Sequence, residues 1–407
     1  MKQTRTNSTG LEVVIGRHVG EQLNVPAIAM IHPEGKPYWN DEYNEYWAYQ
    51  LFSIRKLMEN ECLRLMDVPE DLIVRICKES GLAKSAIYKL AGNSIVCACL
   101  RLIFHQIKRQ FPMAWTGGQV NLITLCSGYD SQMIALRQFC EEYNITSPGT
   151  PLAAHLMAWS EFDPESKRPL GQQPAVVAHN TLFPEYADRN LGDMTKIDWA
   201  AWKEQAATDD SMSGECDLLT YSTPCQSISQ AGKCEGMKEG SGTRSSIVFF
   251  TENAIRELRP KFLLQENVQA ITNRKNMPDF QQWQQRVEAL GYTNFYTIMN
   301  AKDFGVPQNR CRMFMLSVRN DILQECGINL NGDLFAPKSF DFPTPFPLTR
   351  CIADILDEDC DPSYFLKPDS VLKFLQKNEE DSQKGIIYAV VDHHLTEDEL
   401  KEYWNVG

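Results

Sequence analysis

The stretch Leu218 to Gly232, LLTYSTPCQSISQAG, constrains the fold of this chain more than any other. The apolar run that follows Asp217 and ends in Tyr221 reads as a buried parallel strand. The Ser, Thr, Pro and Gln residues after it read as the loop leaving the strand's C-terminal end, where open α/β sheets bind their ligands. Cys225 stands in that loop behind Pro224, which restricts the local backbone. A thiol there is placed for nucleophilic chemistry. It is also one of 13 cysteines, and most free cysteines are small buried hydrophobes, so the loop alone leaves both readings open.

The same strand-and-loop pattern recurs on either side. NLITLCSGYDSQMIALRQF predicts a strand at Leu122–Leu125, a turn at Ser127–Asp130 and a helix at Gln132–Phe139. A glycine turn opening onto a helix N-terminus suits a cofactor with polar or anionic groups, although the turn does not match GxGxxG and a purely structural βα turn reads equally well. HLMAWSEFDP ends a second strand at Glu161, an acid that could accept bonds from ribose hydroxyls, and NLGDM sets Asp193 at a third edge. Three successive strand ends offering Gly128, Glu161 and Asp193 point to a cleft for a nucleoside cofactor. Farther along, FLLQENVQAI predicts a strand with Glu266 and Asn267 at its mouth. YTNFYTIMNAKDFGVPQNRCRMFMLSV predicts two strands around Gly305–Gln308 as a hairpin-like pair, with Arg310 and Arg312 on one face of the second. On composition Glu266 is either a catalytic acid or a partner for a basic group, and the two arginines equally describe a solvated edge.

At 407 residues the chain can hold one large core and one smaller domain. The cysteines fall singly, without CxxC, which implies free thiols in a reducing cytoplasm. No signal peptide and no long apolar run stand out, so no membrane is expected as a partner. The net charge of −13 argues mildly against a surface that embraces nucleic acid throughout, but 18 acidic against 7 basic residues lie between Asp321 and Gly407. The remainder is close to neutral and leaves room for a local basic cleft. Residues 1 to about 45 are broken by Gly and Pro into short strands and turns. A helical pattern follows from Trp47 to Ile76, then a turn at Gly92–Asn93 and an apolar helix opening near Ser94. His393 and His394 are adjacent, a spacing unlike a metal pair, and no metal is expected.

Taken together, Pro224-Cys225-Gln226 with Ser229 and Gly232, then Gln265-Glu266-Asn267-Val268, then Gln308-Asn309-Arg310-Cys311-Arg312, resemble the ordered motifs of the DNA cytosine-5 methyltransferases. LCSGYDSQ resembles the family's first motif, with Asp130 where the usual second glycine would stand. Arg55–Leu65 and AGNSIV at 91–96 resemble its last two motifs, yet here they precede the cofactor turn, so the order resembles a circular permutation. Such a rearrangement is physically permitted because domain termini often lie close together.

The resemblance implies an α/β, Rossmann-like S-adenosylmethionine-dependent methyltransferase fold. Residues 51–320 would form the catalytic and cofactor-binding domain, and residues 321–407 plus 1–50 a small mixed target-recognition domain built from both chain ends. It implies that Cys225 adds to C6 of a cytosine flipped from duplex DNA, that Glu266 engages N3, and that Arg312 holds O2, with Arg310 supporting the loop or the acid. The flap Lys233–Arg244 would close over the base. S-adenosyl-L-methionine would lie against Cys126, Ser127, Gly128, Glu161, Asp193, Pro224, Asn93 and Ser94. The implied setting is the cytoplasm of a bacterium or phage-infected cell, as a monomer, with a cognate restriction endonuclease as genetic partner. An RNA cytosine-5 methyltransferase and a noncatalytic DNA-binding relative are the alternative readings.

Overall fold

The computed structural model describes residues 55–212, 214–224, 244–326 and 340–365, together with the backbone of three strands nearer the N-terminus. The chain divides into two compact units, one formed by Met1–Glu61 with Ile352–Gly407 and the other by Cys62–Cys351. In the first unit β1 (Gln3–Thr6), β2 (Glu12–Gly16) and β3 (Ile28–Ile31) form an antiparallel sheet, with Arg5 opposite Val13 and Val13 opposite Ile31.

The two described stretches of that unit meet at Glu61. Its carboxylate takes both Arg55 guanidinium nitrogens at 2.7 Å, the Met58 N–H at 2.6 Å and the Asp357 N–H at 2.9 Å. Arg55 also bridges antiparallel to Phe365, and the Tyr364 hydroxyl reaches Glu59 at 2.5 Å. Burial pushes the Glu61 carboxyl up, but Arg55 and the two backbone donors outweigh it and hold the group below the usual carboxylate range.

The second unit is built on six strands: β4 (Gln119–Leu125), β5 (Ala153–Ser160), β6 (Leu218–Tyr221), β7 (Phe262–Val268), β8 (Tyr292–Asn300) and β9 (Cys311–Arg319). Their order is β5-β4-β6-β7-β9-β8, with β4 second from one edge and its neighbours β5 and β6 following it on either side. β5, β4, β6 and β7 are mutually parallel, and β9 runs antiparallel to both β7 and β8. Asn190 extends the sheet past β5 by a single parallel bridge to Trp159.

Strand alternation divides the core into two layers. Ile123, Leu125, Leu219, Tyr221, Leu263, Met313 and Met315 face a cluster with Trp199, Phe249, Ile255, Trp283 and Val287, carried mainly by the helices Trp199–Ala206, Thr251–Leu258 and Met277–Ala289. The opposite face takes the Cys97–Gln110 and Ser131–Thr146 helices, joined by Phe104 on Phe139 at 6.3 Å and by Glu142, which meets Arg101 at 2.5 Å and His105 at 2.7 Å. The same face of this unit extends to Phe340, stacked on Phe111 at 6.3 Å.

Two expectations need correction. The turn placed at Gly92–Asn93 is the last turn of a helix, Lys84–Asn93, and the next helix opens at Cys97 rather than near Ser94. Ser94 ends the first helix, and its hydroxyl donates back to the Ala91 carbonyl at 3.0 Å. Lys84–Gln110 holds an 18-residue window of mean hydropathy 1.4, but every such window contains Arg101, so no uninterrupted apolar run stands there. Its backbone breaks at Ser94–Val96 and most of it is buried in the protein core.

Because the Glu61 carboxyl titrates lower folded than unfolded, its contribution is complete above the ordinary glutamate range near pH ~4.3 and is lost as pH falls below it. Glu61→Gln should leave the partly buried Arg55 without its counter-charge and cost on the order of 1–2 kcal/mol at pH 7. Thermal unfolding of parent and variant from pH 7 down to 3 tests this. The gap between them should narrow with acid, and a constant gap would contradict the assignment.

Candidate active site

The C-terminal ends of β4, β5, β6 and β7 open into a cleft of about 830 Å³ within the larger unit. Its first wall is the turn after β4. Cys126 and Asp130 adopt left-handed backbone at φ 53° and 70°, and Gly128 does so at φ 60° with open space where a Cβ would stand. The turn is held by the Ser127 N–H on the Ser160 carbonyl at 3.2 Å and the Asp130 N–H on the Ser127 carbonyl at 2.8 Å. Asp130 caps the following helix by accepting from the Met133 N–H at 3.0 Å.

Glu161 follows β5 directly and accepts the Gly128 N–H at 2.8 Å, so strand end and turn share one carboxylate. Burial raises its carboxyl to about 6 against the pull of the Gly128 amide. Asn190 joins the adjacent edge by accepting from the Glu161 and Gly192 N–H groups at 3.2 and 2.9 Å. Asp193 then accepts from the Thr195 N–H and hydroxyl at 3.0 and 2.8 Å, and these bonds with Lys196 outweigh partial burial and lower its carboxyl. The Cys126 sulfur lies 3.4 Å from the Met194 sulfur, and burial pushes its thiol far up, which makes it a packing group rather than a nucleophile.

The opposite wall comes from β7 and β9. Val268 stands opposite Arg312 and Glu266 opposite Phe314, so Glu266 and Arg312 lie diagonally on one face, with Arg312 Nε 3.0 Å from Glu266 Oε1. Burial raises the Glu266 carboxyl, opposed by Arg312 and Arg310. Arg310 precedes β9 and donates from Nη2 to the Gly92 and Ser94 carbonyls at 2.9 and 2.7 Å, closing the end of the Lys84–Asn93 helix. The Asn267 amide donates to the Thr223 carbonyl at 3.2 Å and thereby holds the base of the loop that leads through Pro224.

Of the residues singled out in the sequence, Asn93, Ser94, Cys126, Ser127, Gly128, Glu161, Asp193, Pro224, Glu266, Arg310 and Arg312 all line this one cleft. Cys225, Gln226, Ser229, Gly232 and the flap from Lys233 lie outside the described residues, as do His393 and His394. The sequence reading missed Phe162, Asp163, Lys89 and Gln173, which line the same cleft. Phe162 is 37% exposed directly after Glu161, and an aromatic in that position was the available signal. Lys89 approaches Asp163 at 3.8 Å across the mouth. Among the described residues no three His, Cys, Asp or Glu side chains converge as metal ligands.

A wound parallel sheet with an antiparallel strand inserted near one edge, carrying an acid-lined cleft at its strand ends, defines a Rossmann-like methyltransferase fold. Comparison with known proteins narrows this class. The profile described as "C-5 cytosine-specific DNA methylase" matches residues 173–406, more than half of the chain, and the protein belongs to that family. It is 32% identical over 216 residues to the type II methyltransferase M2.ScrFI of Lactococcus lactis subsp. cremoris, covering 53% of this chain and 51% of that protein. It is 47% identical over 112 residues to the orphan methyltransferase M.SssI of Spiroplasma monobiae, covering 26% of this chain and 29% of the relative. The matched segments thus span about half the length of the first and under a third of the second.

The geometry of Glu161 sets a titration that can be read without any ligand. A carboxyl-detected NMR titration should place its midpoint near 6, with the Gly128 amide shift following the same curve. A midpoint in the ordinary glutamate range would mean that the group is hydrated rather than enclosed.

Proposed function

We propose that this protein transfers a methyl group to C5 of a cytosine flipped out of a specific duplex DNA sequence. The observation that carries the reading is the Glu266–Arg312 pair at 3.0 Å, on the wall of the cleft that also holds Pro224, the residue before Cys225. The cleft fits S-adenosyl-L-methionine in its donor set. The Ser127 hydroxyl is buried without a hydrogen-bond partner among the described residues, Glu161 offers acceptors for ribose hydroxyls, and open space stands over Gly128. Ser127, Gly128, Glu161, Asp193, Asn93 and Ser94 would hold that molecule, with Cys126 and Pro224 packed beside it. When bound, it supplies an electrophilic methyl group on a sulfonium.

In this reading the Cys225 thiolate adds to C6 of the base and makes C5 nucleophilic. Glu266 bonds or protonates N3 as negative charge accumulates, a task suited to a buried carboxyl whose proton is held more tightly than usual. Arg312 holds O2 and keeps Glu266 oriented. Methyl transfer would leave the donor as its neutral thioether. The C5 proton then passes to a water, the electron pair of the C5–H bond restores the C5–C6 double bond as the Cys225–C6 bond breaks, and the thiolate is regenerated. Arg310 acts at one remove by fixing the helix end that carries Asn93 and Ser94.

The permuted chain order belongs to the same proposal. It is supported by the placement of Asn93 and Ser94, which precede β4 in sequence and line the cleft beside Gly128. The assignment of target recognition to the chain ends, double-stranded DNA as the partner, a cognate nuclease, a monomeric state and a bacterial or phage-infected cytoplasm are part of the reading as well.

Labelled methyl transfer into duplex DNA should be robust in the parent and fall by at least about 10³-fold in Cys225→Ala, with Glu266→Gln down by about 10²-fold or more. Equal rates in parent and Cys225→Ala would sink the mechanism, and transfer confined to RNA would sink the choice of substrate. Affinity for the duplex should also fall steeply with salt, since phosphate contacts release counterions. A flat dependence would argue against direct DNA engagement.

A further inference from the structure

The aspartate that stands in the cofactor turn where a glycine would be expected has a specific partner. Asp130 is fully buried at φ 70°, a region in which aspartate is among the few tolerated side chains. One of its carboxyl oxygens takes the Met133 N–H, and the other takes the Thr124 hydroxyl at 2.9 Å and lies 3.5 Å from Nε2 of His179. His179 is itself fully buried and stacks on Trp159 at 3.6 Å with an interplanar angle of 15°. Neither of its ring nitrogens has a hydrogen-bond partner among the described residues, so the Asp130 carboxyl is the polar group that meets the ring. His179 belongs to the Pro174–Leu182 helix, whose first residues line the far side of the cleft.

We propose that His179 is a positioning residue for the cofactor site. By holding the Asp130 carboxyl it fixes the left-handed turn that sets Ser127 and Gly128 along the cleft wall, and it ties that turn to the helix opposite. The pair compensates for the missing glycine. A buried carboxyl is costly without partners, and here β4 and the turn's own helix supply a hydrogen bond each, while the Pro174–Leu182 helix brings the His179 ring nitrogen to 3.5 Å. The inference rests on the reading that this cleft takes S-adenosyl-L-methionine, but its first arm below does not require any ligand.

His179→Phe keeps a ring against Trp159 while removing the polar contact. In the free protein, amide exchange at Gly128–Met133 should rise by about tenfold as the turn opens locally. The Kd for S-adenosyl-L-methionine should rise by about tenfold, while kcat at saturating cofactor moves by less than about twofold, because the loss is in binding. His179→Gln, which keeps a hydrogen-bonding group on the same helix, should hold both exchange and Kd within about threefold of the parent, and the Met133 N–H and Thr124 hydroxyl keep their acceptor in either variant. Parental exchange and Kd in His179→Phe would overturn the proposal, as would a glutamine variant no better than the phenylalanine one. If His179→Phe does not fold, a folded, binding His179→Gln supports the pair. Failure of both would reduce His179 to packing and overturn the positioning role. A parent that binds no S-adenosyl-L-methionine would refute the cofactor reading, while the exchange measurement would still decide on the pair.

Discussion

Because β9 runs against its neighbour β7, two side chains from opposite chain directions arrive on one face of the sheet within ion-pair reach. A parallel strand in that place would present its residues with a different offset. The remaining features of the cleft assume this arrangement. Glu266 faces the layer that holds the Cys97–Gln110 helix, and Arg312 reaches it from the next strand. Arg310, two residues before Arg312, extends past the strand end to the carbonyls of Gly92 and Ser94. A single short segment, 310–312, therefore orients the acid and secures the helix end on the cleft wall.

The two walls of the cleft are stabilised differently. On the turn side backbone geometry dominates, with three left-handed residues and a shared carboxylate fixing where donors and acceptors point. On the β7–β9 side burial and charge dominate, and both raise questions of protonation rather than of conformation. Glu161, half-buried, and Glu266, buried, are carboxyls in one cleft with opposite surroundings. The first is met by a backbone amide and the second by guanidinium groups. That difference suits the first to the acceptor role and the second to the proton-holding role that the proposed reaction asks of them.

Much of this was legible in the residues. The strands β4 to β9 announce themselves as apolar runs of the right length, and the polar residues that follow β4, β5 and β6 mark the binding edge. What was not legible depends on distant partners. Gly92 and Asn93 are poor helix formers and read as a turn, but Arg310 satisfies the carbonyls at that end, and tertiary contact overrides local propensity. Phe162 follows the strand end at Glu161, and its exposure cannot be read from a single aromatic. The meaning of Asp130 was hidden for the same reason, since its partner His179 lies on another helix and shares no local pattern with it.

The contact between Arg310 and the Gly92 carbonyl joins residues 218 positions apart. On a ribosome the helix end carrying Asn93 and Ser94 emerges long before the side chain that closes it, so its carbonyls must rely on water for most of synthesis. The cleft is accordingly a late product of translation, completed only when the β9 segment has cleared the exit tunnel, even though its glycine turn was made much earlier.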